Sequence, residues 1–385
     1  MRRRSFLALA TASLVAPATA QEDRLARALR DVLERYGIPG VTAALVLPDG
    51  AVISGAAGFA DVEAGRAMTP ETPMLAASIG KSFVAATLLA LEDEGRLSRD
   101  DLLSAHLGDR PWFGTLPNAD SLTLGQLLHH TSGIPDYVHL REFQESWARL
   151  TGDGSAFDAE RLLAFVARRA PLFEAGRGWA YSDTGYVLLG LVIEEVTGEG
   201  WHDAVRTRLL GPLALGATFP SDRPDLPGLA VGYTDPANRF GLPARTSDVE
   251  GHLLWNPAVE AAGGGFASTS ADLARWGHLL FGGAAMPGPY LDRLIDGVAV
   301  DPDAPGIRYG AGVAIYADTP RGPVYGHGGW IPGYVSSLRH YAAHGVSVAF
   351  QINSDIGIAD DASDLVPALE AALADLAITL KNERR

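Results

Sequence analysis

Ser78 and Lys81 stand three residues apart in MLAASIGKSFVAATLLALEDEG, the stretch from Met74 to Gly95. Of the 31 basic residues in the chain only two are lysines, Lys81 and Lys381. Arginine serves wherever a generic positive charge is wanted, so a lysine at the head of an apolar run calls for a reason. Arginine stays charged, whereas a desolvated lysine can lose its proton and act as a base. Residues i and i+3 share a helix face, so Ser78 and Lys81 would face each other if a helix starts near Ser78. The residues that follow, Phe83 to Leu91, are apolar all round, which predicts a buried central helix ending at Gly95. A serine at its N-terminus gains from the helix dipole as negative charge develops. The chemistry is nucleophilic serine catalysis with lysine in place of histidine. Two plainer readings compete. Ser-x-x-Lys is short enough to arise by chance, and Gly80-Lys81-Ser82 resembles the tail of a phosphate-binding loop. That loop needs a glycine at position 75, where Leu75 stands.

A serine nucleophile needs a second proton-transfer group and an oxyanion site. Tyr181-Ser182-Asp183-Thr184 precedes the apolar run GYVLLGLVIEEVTG, and taken alone Ser182, Asp183 or Thr184 would simply cap that helix. Further on, YGHGGWIPGY carries His327-Gly328-Gly329 after a short strand, where glycines let a substrate backbone lie along the edge.

These residues must be held by a frame. Glu22 to Tyr36 has helical periodicity, and VTAALVLPDGAVISGAAGF reads as two strands joined at Pro48-Asp49-Gly50. RYGAGVAIYAD, GYVSSLRHYA and VSVAFQINSD read as three more strands, and a final helix runs from about Asp364 to Leu380. The expected class is α/β: an antiparallel sheet completed by both termini and flanked by N- and C-terminal helices. The α/β part covers about 21–94 and 291–385, and a mostly helical subdomain, about 95–290, is inserted between them, with the site at the junction.

A formal charge of −15 argues against nucleic acid or an anionic membrane as partner. The chain has no cysteine, which rules out thiol chemistry and cysteine-held metals. The histidines, His129-His130 included, show no ligand spacing, and that pair reads as structural. Neither a metal nor a cofactor is expected. The start, MRRRSFLALATASLVAPATAQE, reads as an export signal with cleavage after Ala20. Its Arg3-Arg4-Ser5-Phe6-Leu7 resembles a twin-arginine signal, with a Sec signal as the alternative. The mature domain is then 21–385, with export to the periplasm and no transmembrane helix as the expectation.

Ser78-Ile79-Gly80-Lys81, Tyr181-Ser182-Asp183 and His327-Gly328-Gly329, in that order, resemble the motifs of the penicillin-recognising serine hydrolases. The branch is similar to class C β-lactamases and their relatives, the D,D-carboxypeptidases, D-aminopeptidases and serine esterases. LLHHTSGIPDY (127–137) and AGGGFASTSADLARW (262–276) also resemble stretches of that branch. The resemblance implies that Ser78 is acylated, Lys81 is its hydrogen-bonded partner and Tyr181 shuttles protons to the leaving group. It implies an oxyanion hole of the backbone N–H groups of Ser78 and Trp330, with Asp183, His327, Gly328, Gly329 and Tyr137 lining the substrate cleft. The substrate would be a small molecule or short peptide: a D-amino-acid peptide, an ester or a β-lactam. Two positions depart from the pattern. Asp183 stands where the branch usually has Asn, and an ionised Asp accepts hydrogen bonds but donates none. Near Lys81 it would hold the ammonium charged and pass the base role to Tyr181. Gly328 lacks the hydroxyl that helps hold a substrate carboxylate. An inactive homologue that binds peptidoglycan fragments or a partner is the reading from a different class.

Overall fold

The structure is a computed structural model that describes residues 20–150, 156–358 and 362–384. The export signal lies outside the described residues except for Ala20, where the first helix begins.

Helix α1 (Ala20–Tyr36) leads into strands β1 (Gly40–Val46), β2 (Val52–Asp61) and the two-residue β3 (Arg66–Ala67). Two very short strands, β4 (Met74–Leu75) and β5 (Phe219–Pro220), pair with β6 (Phe266–Ser268) in a separate three-stranded sheet. The chain then returns through β7 (Val298–Ala299), β8 (Ile307–Tyr309), β9 (Ala314–Tyr316), β10 (Val324–Ile331), β11 (Tyr334–Tyr341) and β12 (Val346–Ile352). These and β1 to β3 form one sheet of nine strands in the order β3-β2-β1-β12-β11-β10-β9-β8-β7. The last strand, β12, lies antiparallel to β1, with Val41 opposite Ile352 and Val46 opposite Ser347. Both ends of the chain therefore complete the same sheet, as the sequence predicts.

Alternation along β1 explains the layering. Val41, Ala43 and Leu45 pack with Leu25 and Leu29 of α1 and with Leu369 and Leu373 of the C-terminal helix (Leu365–Glu383). Ala44 and Val46 face the other way, into a larger core that holds helix α2 (Gly80–Asp93) and its neighbours. Every residue of α2 from Gly80 to Leu89 is buried, so its all-round apolar surface fits a central position. Between β3 and β7 the described chain alternates helices with loops and carries the three short strands β4, β5 and β6. Two expectations change. RYGAGVAIYAD is two short strands, β8 and β9, separated at Gly310–Val313, where Gly312 takes φ +69°. His327-Gly328-Gly329 lies inside β10 and does not follow a strand, because β11 pairs along its whole length. No helix among the described residues is long and apolar enough to cross a membrane.

Candidate active site

Ser78 sits on a single 3-10 turn, Ala77–Ile79, that runs directly into α2. Ala77 before it has φ +49°, a left-handed conformation that costs a non-glycine residue of order 1–3 kcal/mol. The neighbouring backbone holds that conformation: Ala76 N–H donates to Phe266 O at 2.9 Å, and the Ser336 hydroxyl donates to Ala76 O at 2.7 Å. Gly80 is required by crowding, since a Cβ there would strike the Gly264 carbonyl.

One helical turn on, Lys81 is fully buried. Its Nζ donates to Ser78 Oγ at 3.0 Å, to Gly263 O at 2.5 Å and to a carboxylate oxygen of Asp183. Three acceptors match the three N–H bonds of an ammonium, leaving no lone pair turned towards Ser78. Asp183 opens helix α3 (Asp183–Thr197), with Ser182 at the N-cap position making no side-chain cap bond. The carboxylate is thus used on Lys81, and the capping alternative for Asp183 does not apply.

Tyr181 lies with its ring centroid 4.8 Å from Lys81 Nζ. Its hydroxyl is buried without a well-formed hydrogen bond. Burial and the charge of Asp183 push it well above the usual phenol range, while the Ser78 hydroxyl beside it pulls weakly the other way. At rest Tyr181 therefore keeps its proton and is a donor. The base role that the sequence assigned to it is available only after that proton has been passed on.

Behind Tyr181 is an aromatic layer that sequence reasoning missed. The His130 ring is 4.3 Å from that of Tyr181 and 4.5 Å from that of Tyr309. His130 takes φ +59°, and its Nδ1 accepts from the Ser182 N–H at 3.2 Å, so it fixes the backbone next to the tyrosine. Burial drives it, and Lys81 further drives it, well below the ordinary histidine range, so it is neutral. The Tyr309 hydroxyl donates to His327 Nε2 at 2.8 Å, and His327 Nδ1–H donates to Gly328 O. Both nitrogens of His327 are engaged, and burial with the Lys81 charge lowers its pKa to about 3. His327 lines the cavity as a neutral wall.

Pro332-Gly333 closes the β10–β11 hairpin, with Ile331 opposite Tyr334. Hydrogen-bonded and open pairs alternate from that turn, so Trp330, the next residue back, turns its N–H away from β11. β9 covers this edge only as far as Gly326. Beyond it Gly329 lies so close to the Ala76 carbonyl and the Ser336 hydroxyl that no side chain fits, which brings the strand against the Ser78 turn. Gly328 is different: the nearest atom to a Cβ there would be 3.9 Å away, so a side chain could project freely.

A cavity of about 400 Å³ opens at Ser78 and is lined by Tyr181, Asp183, His327, Gly328, Gly329, Trp330 and Tyr137, the residues the sequence singled out. Tyr137 is buried, and its hydroxyl is spent on Val259 O at 2.7 Å. The lining also includes Asp136, Glu260, Arg239, Phe143, Trp147 and Phe240, which sequence reasoning did not assign. Asp136 had a visible signal, a charge inside IPDY. The others come from distant segments with no spacing relation to Ser78. Among the described residues only Asp248, Glu250 and His252 bring three ligand atoms together, on a partly exposed loop outside the cavity lining, and nothing beyond proximity points to a metal.

The chain matches the family model "Beta-lactamase" over residues 25–373. Among curated proteins it is 28% identical over 335 residues to penicillin-binding protein 4 of Amycolatopsis lactamdurans, covering 83% of this chain and 82% of that one. It is 24% identical to penicillin-binding protein 4* of Bacillus subtilis, of whose length it spans only 64%, against 77% of its own. Among solved structures it resembles a D-stereospecific amidohydrolase from Streptomyces at 31% identity and TM-score 0.73, covering 86% of this chain and 94% of that one. It also resembles the D-amino acid amidase of Ochrobactrum anthropi at 26% identity and TM-score 0.76, over 95% and 100% of the two chains. The protein belongs to the beta-lactamase family and is a serine hydrolase of that fold.

Proposed function

We propose that the protein hydrolyses amide or ester bonds of small or short-peptide substrates through an acyl-enzyme on Ser78. The observation that carries this reading is the 3.0 Å hydrogen bond between Lys81 and Ser78 at a cavity large enough for a small ligand. In it Ser78 attacks the carbonyl, and the N–H groups of Ser78 and Trp330 take the developing oxyanion. Tyr181, protonated at rest, passes its proton to the leaving group as it takes up that of Ser78, and the same exchange with water in place of the leaving group releases the acyl group from Ser78. Lys81 receives positive-charge support from Asp183 and holds both hydroxyls in an electropositive setting. The cleft lies between an α/β part, about 21–94 and 291–385, and a helical part, about 95–290.

D-Amino-acid amides or peptides are the favoured substrates, supported by the likeness to the D-stereospecific amidohydrolase and the D-amino acid amidase. Simple esters come next. A dedicated β-lactamase ranks third, since Gly328 offers no hydroxyl to a substrate carboxylate. The basic, then apolar N-terminus with Ala18-Thr19-Ala20 supports export to the periplasm. Intact-mass spectrometry after treatment with a fluorophosphonate, and with a penicillin, tests the reading. An adduct on Ser78 and ester turnover that vanishes in Ser78→Ala are expected. A protein that neither reagent labels refutes it.

A further inference from the structure

The cavity at Ser78 holds an imbalance of charge. Three carboxyl groups line it, from Asp136, Asp183 and Glu260, and the buried ammonium of Lys81 is paired with one of them, Asp183. Asp136 is 7% exposed; one of its oxygens accepts from the Val138 N–H at 3.1 Å. The carboxyl also faces the Asp183 backbone N–H, and the one basic ring in contact with it among the described residues is that of His139, at 3.7 Å, beyond hydrogen-bond reach. Burial and the charge of Arg239 lower the pKa of that ring, so it supplies little positive charge. Glu260 precedes Ala261, which takes φ +41°, and one of its oxygens is buried without a partner. Among the described residues no lysine or arginine forms an ion pair with either Asp136 or Glu260. Arg239, which lies in the lining, is exposed and rests over the rings of Phe240 and Trp330.

A buried carboxylate without a counter-charge is costly, and the group keeps its proton until a cation arrives. Both acids show this: burial first, and the Asp183 charge as well, raise Asp136 to about 8 and Glu260 to about 8, with Lys81 opposing in each case. Elsewhere in the cavity lining the rings of Phe143, Trp147, Phe240 and Trp330 form a continuous apolar surface. Trp147 and Phe240 are 5.0 Å apart and Phe240 and Trp330 5.7 Å apart, centroid to centroid.

We propose that Asp136 and Glu260 form an ammonium subsite beside Ser78, so that the hydrolase selects amides and esters whose acyl group carries a free amine and a bulky apolar side chain. The inference rests on the serine-hydrolase reading above and names its substrate class. When the ammonium docks, one of the two carboxyls ionises and its proton leaves to solvent, so recognition is linked to proton release. The groups that set this balance are Lys81, Asp183, His139 and Arg239, with the phenols of Tyr137 and Tyr181 held neutral by burial.

Two measurements test it. In the first, 2-phenylethylamine and its neutral isostere 2-phenylethanol are titrated calorimetrically into the wild-type protein at pH 7, in phosphate and in Tris. Tighter binding of the amine, and an enthalpy that differs between buffers by the release of close to one proton, are expected. Equal affinity for the two ligands, or amine binding without proton release, overturns the proposal, and this measurement does not depend on turnover. In the second, kcat/KM is compared for the p-nitroanilides of phenylalanine and N-acetylphenylalanine, each as the D enantiomer. A charged hydrogen-bonded contact predicts roughly 10- to 100-fold preference for the free amine. In Asp136→Asn and Glu260→Gln that preference shrinks through a rise in KM for the amine. Hydrolysis of both substrates with no preference, in a protein whose Ser78 is labelled, defeats the ammonium subsite and leaves the hydrolase reading standing. A protein whose Ser78 is never labelled defeats the hydrolase reading, while the calorimetry still decides the subsite.

Discussion

Replacing Asp183 with Asn changes three things at once, and all act on acylation by a penicillin. The carboxylate is a contact of Lys81, whose ammonium has two other acceptors, Ser78 Oγ at 3.0 Å and Gly263 O at 2.5 Å. In Asp183→Asn the ammonium keeps these acceptors but loses its counter-charge. The Asp183 charge is also the second cause, after burial, that raises Tyr181, so its removal eases proton transfer through the phenol. Finally, an amide N–H replaces a lone pair that repels a substrate carbonyl. A neutral hydrogen bond contributes about 0.5–1.5 kcal/mol. Adding the relieved repulsion gives about 1.4–2.8 kcal/mol, a 10- to 100-fold faster acylation. The opposing term is stability. Breaking a buried ion pair costs about 3–5 kcal/mol, and the Asp183 side chain is 18% exposed, which favours the lower end. The assay is a mass-spectrometric time course of the penicilloyl adduct on Ser78, with urea unfolding as the control for folding. A folded Asp183→Asn protein that acylates at the same rate or more slowly would refute the reasoning.

Three further outcomes are expected. Tyr309→Phe removes the hydroxyl that donates to His327 Nε2 and leaves a buried acceptor unpaired, costing about 1–3 kcal/mol in urea unfolding; kcat should fall more than KM changes, and wild-type stability and kcat in the variant would contradict the role given to Tyr309. Gly328→Thr adds a hydroxyl where a Cβ meets only ordinary contacts, the Arg339 guanidinium at 3.9 Å and Ser336 O at 4.0 Å, and should raise activity on carboxylate-bearing substrates relative to simple esters, read as a ratio of kcat/KM values; an unchanged ratio would count against that edge as the carboxylate contact. Stability should fall as pH rises from 6.5 to 8, because folded Asp136 and Glu260, raised to about 8, still hold protons that the unfolded chain has released. The ceiling is about 1.4 kcal/mol per pH unit for each carboxyl. Neutral His130 and His327 act in the other direction only below the ordinary histidine pKa, where the unfolded chain binds protons that they refuse. Denaturant titrations across pH, on wild type and Asp136→Asn, check this, and a flat profile between 6.5 and 8 in the wild type would contradict it.

The chemistry of Ser78 and Lys81 was legible in the sequence because it depends on local periodicity. Three residues along a helix set one face, and an apolar run predicts burial whatever packs around it. That N- and C-terminal strands share one antiparallel sheet was legible for the same reason, since alternation and turn residues are short-range signals, though five strands were read where the sheet has nine. RYGAGVAIYAD misled because its strand-forming residues conceal a bend that only the left-handed Gly312 reveals. The surroundings of the nucleophile were not legible. His130, Tyr309, Glu260 and Phe240 come to the site from separate segments, and no spacing rule links residues that meet only through tertiary packing. His130 looked structural as one of a histidine pair, and its place behind Tyr181 depends on how α3 docks. The sequence determined which groups could react, because residue type and helix phase are local properties. The tertiary structure decided their charge states and the ligand they await, because burial and the count of neighbouring charges exist only once distant segments pack together.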